Sequence, residues 1–116
     1  MKSFTDLEQS KKLAEILPME SVDMYYPNRT DTKYQGALPI EWKRGLQLLS
    51  QEIPCWSLAA LLEYMNRNFY NISLNYCGSE YTISFDDGER YKTITKDYSI
   101  DTAFEMIVWL KETNRI

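Results

Sequence analysis

The sequence predicts one α+β domain over residues 1–116: a three-stranded antiparallel β-meander packed against about three helices, with a long irregular segment after the first helix. Three observations carry this. Pro54 to Leu62 joins a chain stop, a capping serine and an almost unbroken apolar run. Residues 70–96 alternate apolar and polar side chains around the turn dipeptides Gly78-Ser79 and Asp87-Gly88. Residues 101–113 return to a helical spacing of apolar positions. A chain of 116 residues is the size of a single domain, long enough to bury roughly two-thirds of its unfolded surface without covalent staples.

In order along the chain, Thr5-Asp6-Leu7-Glu8 reads as a capping box with Thr5 as the cap. Phe4, Leu7, Leu13, Ala14 and Leu17 fall on one side of the helix that follows, Glu8, Lys12 and Glu15 away from it. Pro18 ends it, since the residue before a proline resists helical backbone. From Met19 to Arg44 the regular period is lost, and the segment either hides short strands and turns or is a loop held by its own aromatics; the second reading is preferred. Leu46 to Leu49 can form a strand or helical turn leading into the centre. The central helix starts after Ser57, and its nearly all-round apolarity predicts a buried helix onto which the meander and the outer helices pack. In the meander, a Gly78-Ser79 turn sets Tyr76, Leu74 and Ile72 opposite Tyr81, Ile83 and Phe85. A two-residue Asp87-Gly88 turn would set Phe85, Ile83 and Tyr81 opposite Arg90, Lys92 and Ile94, the basic residues suiting a sheet edge. The last helix carries Ala103, Met106, Ile107 and Leu110 at its centre, with Asp101 and Lys111 complementing its dipole.

Composition narrows the function classes. The chain is mildly acidic, with a net charge of -4, which argues against a general phosphate-backbone binder. No apolar run is long enough to span a membrane, and the first residues lack the apolar core of a signal peptide, so a cytoplasmic protein is expected. Cys55 and Cys77 are then free thiols, and the sequons at Asn28 and Asn71 are chance. The chain has no histidine, which removes the commonest acid–base catalyst and metal ligand. Asp86-Asp87-Gly88-Glu89 could in principle offer oxygen ligands to a hard cation, but it fits a hairpin turn better. Cys55 near a helix start lacks a histidine base and reads as a structural thiol. With four glycines, no phosphate-binding loop can be drawn. No cofactor, metal or catalytic residue is expected.

The segment from Leu7 to Pro18 with Ser21-Val22-Asp23-Met24-Tyr25-Tyr26, the run Pro54 to Leu62, and the closing Ala103 to Leu110 resemble small uncharacterised proteins of Bacteroides-type gut bacteria and their phages or mobile elements. The resemblance implies a bacterial or phage cytoplasmic setting and assigns no activity.

The aromatic residues of the irregular segment are the candidate functional surface. Tyr25, Tyr26, Tyr34 and Trp42 lie there with Lys43 and Arg44. Such residues pin a loop to a core, or they form a protein interface. Stacking and charge could also bind single-stranded nucleic acid, which the acidic balance disfavours. The leading expectation is a non-catalytic protein-interaction module from a mobile element, binding another protein or itself; the alternative is a single-stranded nucleic-acid-binding accessory protein. An enzyme ranks third.

Overall fold

The structure, a computed structural model, describes residues 4–26, 41–42, 53–68 and 72–113. Among the described residues it has three α-helices and two three-stranded antiparallel sheets, so the α+β class holds.

Helix α1 is Leu7–Ala14. Its capping box starts one residue later than the sequence suggests: Asp6 accepts the Gln9 backbone N–H at 2.8 Å, and Gln9 Oε1 accepts the Asp6 N–H at 3.1 Å. Thr5 cannot serve as cap because its hydroxyl is used in the interior. Leu13 and Leu17 are buried as expected, whereas Ala14 is exposed and Ser10 takes a buried place. After Ala14 the chain continues as a turn closed by the Leu17 N–H on Leu13 O at 2.8 Å, followed by a 3-10 turn at Met19–Ser21.

Both ends of the segment expected to be irregular contain strands. Strand β1 is Met24–Tyr26, β2 is Glu41–Trp42 and β3 is Ile53–Cys55, ordered β2-β1-β3. Met24, Tyr25 and Tyr26 are all buried, so β1 shows no alternation to read. Pro54 stands within β3, opposite Tyr25; β3 is terminal among the described strands of this sheet, where a missing N–H is tolerated. The expected Leu46–Leu49 element lies outside the described residues.

Helix α2 is Leu58–Asn68. Ser57 caps it, its Oγ accepting the Ala60 N–H at 3.2 Å. The expected all-round burial is corrected: Ala60, Leu61 and Met65 are buried, Leu58, Leu62 and Tyr64 half-buried, and Ala59 exposed.

The meander is β4 (Ile72–Cys77), β5 (Glu80–Asp86) and β6 (Tyr91–Lys96). Its first hairpin has the predicted register, Ile72, Leu74 and Tyr76 facing Phe85, Ile83 and Tyr81. The second is displaced by two residues: Phe85 faces Lys92, Ile83 faces Ile94 and Tyr81 faces Lys96. Side chains of the turn explain this. Asp86 accepts the Gly88 N–H at 2.9 Å, and Asp87 accepts those of Glu89 and Arg90 at 2.9 and 2.7 Å. They stabilise a four-residue connection over a two-residue one. A shift of two keeps every side chain on its face and gives Ile83 an apolar neighbour.

Helix α3 is Ser99–Glu112, and it, not α2, is the central element. One side packs on β5 and β6, the other on α1 and α2. Ile100, Ala103, Met106, Ile107 and Leu110 are fully buried, and Trp109 meets Phe85 edge-on at 5.7 Å. The Thr102 hydroxyl donates to Tyr98 O at 2.9 Å and to Tyr81 O at 3.2 Å, tying the helix start to β5. Replacing Ile107 by Ala should therefore cost about 2–5 kcal/mol by urea unfolding. Leu62→Ala, on a half-buried position, should cost less; a larger cost at Leu62 would place α2 at the centre after all.

Candidate functional site

Apart from Ser99 and Thr102 at the start of α3, the buried polar side chains among the described residues gather in a node around Thr5. Its backbone N–H donates to Trp56 O at 2.9 Å, making a short bridge between the chain start and the residues before α2. Its Oγ1 accepts the Trp56 N–H at 3.1 Å and lies 2.7 Å from Ser10 Oγ. Its carbonyl accepts the Tyr26 hydroxyl at 2.7 Å and the Cys55 thiol at 3.4 Å. Cys55 and Trp56 are wholly buried, and the indole N–H reaches Ser21 Oγ at 2.9 Å. Burial pushes the Tyr26 hydroxyl far above its ordinary pKa, reinforced by neighbouring Cys55 and Asp6. Burial also raises the Cys55 thiol, against the lowering effect of the Thr5 and Ser10 hydroxyls. A thiol held protonated at zero exposure is a poor nucleophile. The node is a joint.

This corrects the expected aromatic surface at Tyr25 and Tyr26. Tyr25 and Tyr26 are each 6% exposed and present nothing to a protein or a base. Trp42 stands on β2 opposite Met24, and Tyr34, Lys43 and Arg44 lie outside the described residues. The sequence reveals aromatic type but not exposure, and Tyr26 spends its polar tip on Thr5 O.

Exposed aromatic side chains occur around the meander: Tyr76 on β4 is 63% exposed, Tyr91 at the start of β6 67% and Tyr98, two residues past its end, 48%. Among the described strands, β6 ends its sheet. The Asp87 N–H bonds to Arg90 O at 3.2 Å, which fixes the alternation along the hairpin. Lys92, Ile94 and Lys96 therefore turn their backbone groups to β5, and Tyr91, Thr93 and Thr95 turn theirs outward. Beside this edge runs a groove of about 400 Å³ between β6 and α3, with Val108 and Trp109 on the helix wall. Lys92 and Lys96 line the strand side, Glu105 and Glu112 the helix side. The Lys92 ammonium rests 6.0 Å from the Trp109 ring centre. The opposite sheet face is a hydroxyl ladder, Thr82 to Thr95 at 2.9 Å and Ser84 to Thr93 at 3.4 Å. Hydrogen bonding from Thr93 and then Ser84 lowers the Tyr91 pKa.

A second groove, about 360 Å³, opens between the 3-10 turn and α2. Two of its three acidic groups are engaged: Asp23 accepts the Ser57 N–H at 3.0 Å and the Ser57 hydroxyl, and Glu63 pairs with Arg67 at 2.7 Å, while Glu20 is exposed at its rim. Among the described residues no group of three His, Cys, Asp or Glu is placed to hold a metal. No helix among them is long and apolar enough to cross a membrane. Among the described residues, the fold and site thus define an α+β domain with an unpaired strand edge beside a mixed groove. Compared with known protein families, curated proteins and solved structures, the chain matches none.

Two predictions test the node. Thr5→Val keeps the shape but removes the acceptor of the buried Trp56 N–H, and should cost about 1–3 kcal/mol by urea unfolding. Folding raises the Tyr26 pKa, so the folded state keeps a proton that the unfolded chain loses. This contribution is fully present below about pH 10 and is lost as pH rises beyond it. Cys55 acts in the same direction from about pH 8.5. The fall in unfolding midpoint between about pH 9 and 11 should be smaller in Tyr26→Phe than in the parent; an equal fall would remove Tyr26 from the account.

Proposed function

We propose that this protein is a small non-catalytic interaction module of a bacterial mobile element or phage, and that it works by docking an extended segment along β6. The docking reading rests on one observation: β6 turns the backbone groups of Tyr91, Thr93 and Thr95 outward beside the α3 groove. An extended chain laid there gains main-chain hydrogen bonds, while pockets beside the strand select its side chains. Support for the mobile-element setting is the sequence resemblance alone. The buried Tyr26–Cys55–Thr5 node offers no accessible nucleophile, which favours binding over catalysis as the work of the exposed surface.

The test is selection of displayed extended peptides against the protein immobilised sparsely, at about nanomolar density, so that copies do not meet. Thr93→Pro removes an outward N–H and leaves the ladder to β5 intact, as a proline on an edge strand can. Selected peptides should bind the parent and lose about tenfold or more on Thr93→Pro. Absence of any peptide with that sensitivity would contradict the reading.

A further inference from the structure

We infer that the segment docking along β6 is β6 of a second copy, joining two meanders into one six-stranded antiparallel sheet. This rests on the reading of β6 as a docking edge and adds the identity of its occupant.

The strand is complementary to itself in one register. Setting Ile94 on the two-fold axis brings Ile94 opposite the partner's Ile94 on the helix-covered face. Thr93 then comes opposite the partner's Thr95. Both carry outward backbone groups, so the hydrogen-bonded pairs of the new ladder fall on them. Their hydroxyls lie on the face where Thr82–Thr95 and Ser84–Thr93 already form a ladder, which this pairing continues from one copy into the next. Tyr91, 67% exposed in one copy, then comes opposite the position just past the end of the partner's β6.

The helices fit the same arrangement. Strands lie about 4.8 Å apart, and α3 packs over both β5 and β6. The α3 axes of the two copies then come about 9.6 Å apart, inside the 8–10 Å typical of packed helices. Val108 and Trp109, which wall the groove, would meet their counterparts. Val108 is half-buried in one copy and stands outside its main apolar cluster.

Charge also balances. Lys92 would come opposite the partner's Lys96, a repulsion in isolation. Glu105 and Glu112 on the helix wall lie over these positions. Within one copy no ion pair joins them to the lysines among the described residues. The closed groove of the pair thus holds four lysines and four glutamates.

Sedimentation velocity from about 1 to 200 µM tests this. The parent should pass from monomer to dimer, and both Thr93→Pro and Val108→Arg should raise the dissociation constant about tenfold or more. Val108→Arg acts through the helix wall and leaves β6 untouched, so agreement of the two does not depend on how the proline is accommodated. A parent that stays monomeric to about 200 µM overturns the inference. So does a dimer that neither substitution weakens. If the monomeric parent still binds displayed peptides in a Thr93→Pro-sensitive way, the second copy is excluded while the docking edge stands.

Discussion

Much of the structure hangs on the two polar ends of Thr5. Its hydroxyl accepts the Trp56 N–H and meets Ser10, while its carbonyl collects the Tyr26 hydroxyl and the Cys55 thiol. These contacts bring the chain start, β1, β3 and the entry to α2 to one point. A buried hydroxyl or amide without a partner costs free energy comparable to a lost hydrogen bond. Each member of the node therefore fixes the others: moving Thr5 would strand four groups at once. The node also sets Trp56, wholly buried, against the main core, with its indole N–H spent on Ser21.

From this joint the packing passes to α3. That helix has buried residues on both the sheet side and the helix side, so it acts as a wedge between the meander and α1 with α2. Covering one face of the meander leaves its edges unpaired among the described residues, and the groove beside β6 exists because α3 lies across β5 and β6 without extending past them. The proposed docking surface is thus a by-product of how the core is filled. Its lysines and glutamates keep the edge soluble in an isolated copy and leave it able to pair when charges are balanced.

The sequence made the first hairpin legible because one apolar face and one turn dipeptide agree on the same register. The second was off by two residues, since nothing in the alternation reveals that Asp86 and Asp87 will bond the turn backbone. β1 and β3 escape the pattern for different reasons: β1 is buried at all three positions and carries no period, while β3 is only three residues long and its Pro54 looks like a stop until its edge position is known. Thr5 looked like a cap because capping and interior hydroxyls share one residue type. The most conspicuous apolar run, Pro54 to Leu62, is structural as expected but lies beside the centre. The site was half legible: the lysines identified β6 as an edge, whereas the groove depends on where α3 lands, a non-local outcome. Of the aromatics of the irregular segment, Tyr25 and Tyr26 prove buried, because burial is decided by tertiary contacts that residue type does not reveal.

The most direct test of β6 as the working surface is amide hydrogen exchange read residue by residue. In dilute protein the amides of Lys92, Ile94 and Lys96 should exchange slowly, bonded to β5, while those of Tyr91, Thr93 and Thr95 exchange fast. When protein is concentrated or a selected peptide is added, the second set alone should slow, by about tenfold or more. Fast exchange at Thr93 and Thr95 under every one of these conditions would contradict the account.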